Sequence, residues 1–187
     1  MSEKIYELER KFLLRRMPES VESRKNVQHI LQPYDYNSTD RARMLIDSET
    51  EDVKFYWTEK KPTEHDSDCI CSEDEQEITV QEFCDYLKRA THYVMKDRIT
   101  YIDDEGYTWC FDLFGTSMTL IAEVEVVVSE GENVEEELKY LKNVDIPKDV
   151  WDEVLLEVTD KIAFKSKNLA IELKDEEREQ FIKDLLE

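Results

Sequence analysis

Apolar and polar residues alternate along most of this chain with a period of two, the spacing of a β-strand. In YELERKFLL (residues 6–14), Tyr6, Leu8, Arg10, Phe12 and Leu14 fall on one face and Glu7, Glu9 and Lys11 on the other. Residues 27–36 mix Val, Ile and Tyr with polar residues and read as extended. Residues 40–46 (DRARMLI) bring Arg41, Arg43 and Leu45 together. In 53–60 (VKFYWTEK) the shared set is Lys54, Tyr56, Thr58 and Lys60, inside an aromatic-rich run that favours strand. Glu73, Glu75 and Glu77 share a face of 73–79, and Lys96, Arg98 and Thr100 a face of 95–102. In 107–114 (YTWCFDLF), Trp109, Phe111 and Leu113 oppose Cys110 and Asp112. In 120–128 (LIAEVEVVV), Ala122, Val124, Val126 and Val128 oppose Glu123, Glu125 and Val127.

Helical spacing is rarer. Thr79 and Glu82 form a capping box, followed at helical spacing by Val80, Phe83, Leu87 and Ala90. Residues 133–143 predict a second helix with Val134, Leu138 and Leu141 on its apolar side. Pro147 suits the first turn of a third, near Trp151 and Leu155. Residues 175–186 predict a charged terminal helix carrying Phe181, Ile182, Leu185 and Leu186. The acidic stretch 62–74 reads as a mobile loop. No repeat or linker divides the 187 residues, so residues 1–187 are read as one domain.

A charged strand face taken singly is ordinarily solvated. Here seven strands carry charges two residues apart, and several of them are strongly apolar on the other face. Apolar faces turned outward need helices to cover them, and the charged faces then line an interior. Many antiparallel strands that return on themselves make a barrel. The expected fold is therefore α+β, mainly antiparallel β: an eight-stranded, tunnel-like barrel with a charged lumen, covered by amphipathic helices. Both signs of charge are present, so they can pair with each other and with ligands. Lys and Arg suit phosphate oxygens, and carboxylates suit a hard cation such as Mg2+. A metal–polyphosphate complex needs both in one cavity.

Composition narrows the partners. With 25 Lys and Arg against 46 Asp and Glu, the net charge is −21. Such a chain repels nucleic acid and anionic membranes at long range, so neither is expected as a partner. The N-terminal residues lack a signal-peptide core and no run reaches the length of a membrane span, which predicts a cytoplasmic protein. The three glycines, Gly106, Gly115 and Gly131, are isolated, which excludes a P-loop and a Rossmann fingerprint. His29, His65 and His92 are scattered, and no HExxH or GxSxG occurs. Cys69, Cys71, Cys84 and Cys110 lack zinc-site spacing and read as free thiols. Any phosphate must be gripped by side chains rather than by a backbone nest.

Glu7-Leu-Glu9-Arg-Lys11 matches the ExExK signature of the CYTH superfamily, the triphosphate tunnel metalloenzymes, and the context ERKFLL resembles its bacterial inorganic triphosphatases. Further matches follow in the family's order: Arg41-Ala-Arg43, Thr58-Glu-Lys60, Glu73-Asp-Glu75, Lys96-Asp-Arg98, Asp112 and Glu123-Val-Glu125. The resemblance implies an antiparallel eight-stranded tunnel open at both ends and metal-dependent hydrolysis of a small-molecule triphosphate by a monomer or homodimer. It also implies roles by position. Lys11, Arg41, Arg43, Lys60, Lys96, Arg98 and Lys161 would bind phosphates. Glu7, Glu9, Asp112, Glu123 and Glu125 would hold Mg2+ or Mn2+. Glu9, Lys11, Glu75 and Asp112 would serve catalysis, with Glu73 and Glu75 orienting the basic cluster or the water. Two departures stand out. Cys71 replaces a frequent Arg, and Thr159-Asp-Lys-Ile-Ala-Phe164 puts Ile162 and Ala163 where the family's mouth-closing helix is basic. Tyr34 is assigned to the core. Two other readings stand beside it: a class IV adenylyl cyclase, which shares ExExK, and a non-catalytic binder of polyphosphate or nucleotide, suggested by the Cys71 and Ile162 departures.

Overall fold

The structure, a computed structural model, describes residues 5–24, 26–38, 40–61, 70–129 and 132–186, with Ile5, Lys60, Lys61 and Cys71 described in backbone only. Eight strands carry the fold: β1 (Ile5–Leu14), β2 (Gln28–Tyr34), β3 (Asp40–Asp47), β4 (Val53–Lys61), β5 (Ile70–Glu77), β6 (His92–Ile102), β7 (Thr108–Phe114) and β8 (Thr119–Ser129). Their antiparallel ladders run in a circuit. From β1 they pass to β8, β7, β6, β2, β3, β4 and β5, and β5 pairs with β1 again. All eight expected strands are present.

The last ladder is thin, and there the expected tunnel-like barrel is corrected: the sheet does not close along the full length of β1 and β5. Only Glu7↔Cys71 and Leu8↔Ile70 join β1 to β5. The competing partner is β9 (Val154–Glu157), which takes β1 from Phe12 to Leu14. The same strand corrects the third helix. The helix α4 (Lys148–Trp151) is a single turn, and Leu155 lies in β9 because β1 offers it an unpaired edge. A short β10 (Ile171–Glu172) pairs with the start of β6. Ile70 to Asp74, expected in a loop, belongs to β5, while residues 62–69 lie outside the described residues.

The apolar faces point outward, under helices. Leu8, Phe12, Trp109, Phe111 and Val124 pack with Val134 and Leu141 of α3 (Val134–Lys142). On the opposite side Leu31, Ala42 and Phe55 pack under Phe83 and Leu87 of α2 (Val80–Arg89) and Phe181 of α5 (Asp175–Leu186). The capping box starts α2: the Thr79 hydroxyl accepts from Glu82 N at 3.2 Å, and Glu82 Oε2 accepts from Thr79 N at 2.8 Å. Arg10 is the one cation on the outer face of β1. Its Nη1 donates to the last carbonyls of α3, Leu141 O at 3.3 Å and Lys142 O at 3.1 Å, where a positive charge is favoured. Among the described residues no helix is long and apolar enough to cross a membrane.

Candidate active site

The charged faces meet inside the circuit, and pairing register decides who meets whom. Arg98 lies opposite Asp112, Cys110 opposite Glu123, Lys11 opposite Glu123, and Glu9 opposite Glu125. On this β6–β7–β8–β1 side every cation has an anion. Asp112, fully buried, accepts from Lys96 Nζ at 2.6 Å and from Arg98 Nε and Nη2, both at 2.6 Å. Arg98 reaches on to Glu123 at 3.3 Å. Lys11 Nζ sits 2.9 Å from Glu123 and 3.1 Å from Glu9.

The charges respond accordingly. Burial alone would raise Asp112, but Arg98 and Lys96 hold its carboxyl well below the usual range. Glu123 is lowered in the same way: burial opposes, and Lys11 prevails. Lys11 is raised because Glu123 and Glu9 outweigh its desolvation. Lys96 is the exception. Burial, then repulsion from Arg98, brings it down to about 8 despite Asp112.

The β3–β4–β5 side is less complete. Arg41 Nη2 donates to Glu73 at 2.6 Å. The buried Thr58 hydroxyl donates to Glu75 at 2.9 Å, and Arg43 stands 3.5 Å from the same carboxylate. The Nε donors of Arg41 and Arg43 are buried and have no acceptor among the described residues. Burial, then repulsion from Arg41 and Arg98, lowers the Arg43 guanidinium below its ordinary value. Tyr34, opposite Arg41 in register, turns its hydroxyl inward. It accepts from Gln32 Nε2 at 2.5 Å and feels the charges of Arg41, Arg43 and Lys11. Burial pushes its phenol up to about 12, so it stays a neutral donor.

A third group is acidic. Burial, then repulsion from Glu73 and Glu125, pushes Glu7 up to about 7. Burial also raises Glu125, against the pull of Arg98, with Glu123 and Glu9 adding to the rise. Glu7 and Glu125 thus offer under-neutralised hard oxygen donors, with Glu9, held by Lys11, beside them; such a donor set suits Mg2+ or Mn2+. Among the described residues no three acids, cysteines or histidines already stand close enough to hold an ion, so coordination requires these side chains to swing together.

Of the residues singled out in the sequence, Glu7, Glu9, Lys11, Arg41, Arg43, Lys96, Arg98, Asp112, Glu123 and Glu125 share this interior. Asp112 has both oxygens engaged by cations, so it anchors Lys96 and Arg98 as it stands. Glu75 lies at the rim with its side chain 40% exposed. Lys60 continues the lumen register, opposite Glu73, but its side chain lies outside the described residues. Lys161 is not brought into the cluster: its side chain is half exposed and pairs with Asp160 at 3.2 Å. Tyr34 is in the core, as expected, and its hydroxyl also meets Gln32; Gln32 was missed as a lumen residue, because both faces of β2 are buried and alternation there does not tell inside from outside.

No family model matches the chain, and no curated protein matches it. Solved structures do. The inorganic triphosphatase NE1496 is 21% identical over 89% of this chain and 95% of its own, with a TM-score of 0.52. The PH1819 protein of Pyrococcus horikoshii OT3 is 20% identical over 73% of this chain and 86% of its own, with a TM-score of 0.57. The PH1012 protein of the same organism is 17% identical over 79% and 93%, with a TM-score of 0.54. The likeness is one of fold: this chain folds like the inorganic triphosphatase NE1496 and the two Pyrococcus horikoshii proteins.

Proposed function

We propose that the protein is a metal-dependent triphosphatase that hydrolyses inorganic tripolyphosphate or a small organic triphosphate. One observation carries the reading: Arg41 and Arg43 hold buried, unaccepted Nε donors in the same lumen as the under-neutralised carboxylates Glu7 and Glu125. A buried donor without an acceptor is costly, and an anion relieves it. Buried acids that repel each other are relieved by a cation. A metal–triphosphate complex satisfies both. The fold is shared with a protein described as an inorganic triphosphatase, which agrees with the reading.

In this reading Arg41 and Arg43 grip phosphate oxygens through planar donor forks, and Lys11 supplies a point charge between them and the acids. Asp112 keeps Lys96 and Arg98 fixed, so their charge is in position before substrate arrives. Glu7, Glu9 and Glu125 would hold a divalent ion, which when bound would neutralise phosphate charge and make a water more acidic. The oxygen of a water bonds to a phosphorus, the bridging P–O bond breaks, and its electron pair leaves with the remaining phosphate chain. Glu75, beside Arg43 at the rim, orients that water and takes its proton. The protein acts in the cytoplasm on a small molecule, as a monomer or homodimer, without a nucleic-acid or membrane partner.

The test is phosphate release from tripolyphosphate and from ATP, with and without Mg2+ or Mn2+, with Glu9→Ala and Lys11→Ala alongside. Metal-dependent release lost in both variants is the expected result. No release under any condition overturns the reading, and cyclic AMP with pyrophosphate as products replaces it with a cyclase.

A further inference from the structure

Thr58 stands in the ordered motif Thr58-Glu-Lys60 without a role of its own. Strand register puts it between two of the lumen's charges. One row of directly paired residues runs Tyr34, Arg41, Thr58, Glu75 across β2, β3, β4 and β5. The row on one side holds Arg43, Tyr56 and Glu77, and the row on the other holds Lys60 and Glu73. The ion pairs do not follow these rows. Each arginine reaches across β4 to a carboxylate one row further along, Arg41 to Glu73 and Arg43 to Glu75. The two crossings therefore flank Thr58.

The crossings differ in closeness. Arg41 Nη2 lies 2.6 Å from Glu73, as short as a charge-assisted hydrogen bond. Arg43 Nη2 lies 3.5 Å from Glu75 Oε2, too far for a good one. That same oxygen accepts from the Thr58 hydroxyl at 2.9 Å. Thr58 is fully buried, and its branched Cβ limits the directions its hydroxyl can take. Glu75, at the rim, has room to turn. Arg43 invites such a turn: it is buried, repelled by Arg41 and Arg98, and its Nε has no acceptor among the described residues. A carboxylate free to move would close the gap and grip the guanidinium at two points, satisfying Nε as well.

We propose that Thr58 is a positioning residue: its hydroxyl holds Glu75 off Arg43, so that the donors of that guanidinium stay open for a phosphate chain. The inference rests on the triphosphatase reading above and adds a residue to it. Thr58 touches neither phosphate nor metal in this role; it acts through Glu75. Two functions are served by the one hydrogen bond. Arg43 is kept from being neutralised inside the protein, and Glu75 is kept at the rim, where that reading has it orient water. Valine at this position would keep the strand-favouring shape and lose the hold, and Glu75 would then swing onto Arg43.

Calorimetric titration with tripolyphosphate, with and without Mg2+, tests this beside urea denaturation. Thr58→Val should bind about tenfold more weakly than the native protein, with a urea midpoint no lower. Thr58→Ser keeps the hydroxyl and should bind within about threefold of native. In a Glu75→Gln background, which has no carboxylate to swing, Thr58→Val should cause no further loss. Thr58→Ala removes the same hydroxyl and should repeat the loss if the valine variant does not fold. Native affinity in Thr58→Val with a lowered midpoint marks Thr58 as structural and overturns the inference. A loss that persists in the Glu75→Gln background also overturns it, because Thr58 would then act without Glu75. Both results leave the triphosphatase reading standing. Failure of the native protein to bind tripolyphosphate under either condition overturns that reading and this inference with it.

Discussion

The two sides of the lumen are built from the same residue types and solve opposite problems. On the β6–β7–β8–β1 side, Asp112, Lys96, Arg98, Glu123, Lys11 and Glu9 form a chain of short contacts from 2.6 to 3.3 Å. On the β3 side, among the described residues, Arg43 has a carboxylate at 3.5 Å and an Nε with no acceptor, and Arg41 also keeps an unaccepted Nε. A buried charge is tolerable only when paired or when a ligand completes it. The first side is complete without ligand and acts as scaffold. The second is incomplete, and the proposed triphosphate would supply the missing acceptors. Identity of residue does not separate the two; the partners do.

The largest expected effect breaks the scaffold side. Asp112→Asn leaves Lys96 and Arg98 buried beside each other without their shared anion. Removing one partner of a buried pair costs about 3–5 kcal/mol, so the urea midpoint should fall by a corresponding amount. Arg43→Ala sharpens the contrast from the other side. It deletes a cation that is already under-neutralised, so stability should change little or rise. Affinity for tripolyphosphate should instead fall by about 10–150-fold, the worth of one charged hydrogen-bonding group at about 1.5–3 kcal/mol. Calorimetric binding and urea denaturation of the two variants should give crossed results. If Arg43→Ala destabilises as much as Asp112→Asn, the two sides are one network and the distinction is lost.

Much of this was legible because a strand has a period of two. Glu7, Glu9 and Lys11 can share a face only one way, and the same parity in β7 and β8 places Asp112 and Glu123 beside them. Tyr34 was harder. Its strand carries Ile30 and Leu31 on opposite faces and both are buried, so alternation does not tell the inside from the outside. Tyr34 is in fact both things, packed in an apolar cluster by its ring and turned to Arg41 by its hydroxyl. The segment 158–170 was legible only through the family resemblance, which set a mouth-closing helix at Thr159–Phe164, where the structure has two short 3-10 turns instead. Its anchors, Lys11 to Val158 and Tyr36 to Lys167, join residues more than a hundred positions apart, and residues 158–170 have neither strand nor helix periodicity. β9 was hidden for a related reason: Trp151 and Leu155 fit a helical spacing, and only the open edge of β1 turns the segment extended.

The smallest effect tests whether charge outside the lumen matters to the ligand. Asp40 precedes Arg41 in the chain and, by alternation, faces the other way. Its carboxylate accepts from the Ser38 hydroxyl, from Trp57 Nε1 at 2.9 Å and from Arg89 Nη2 at 3.3 Å. Burial alone would raise its pKa, but these donors outweigh it and hold the group below its ordinary 3.8. A carboxylate lowered by folding adds stability above its unfolded pKa and loses it as pH falls through the lower folded value. Asp40→Asn should therefore cost up to about 1 kcal/mol near neutral pH. The gap between the variant and the native protein should begin to narrow near pH 3.8, where the unfolded Asp40 takes up its proton, and close as pH falls through the lower folded value. Tripolyphosphate affinity should not change at any of these pH values. An affinity loss as large as that of Arg43→Ala would mean that the outer face helps to set the arginines, and that the lumen's incomplete side extends through the wall.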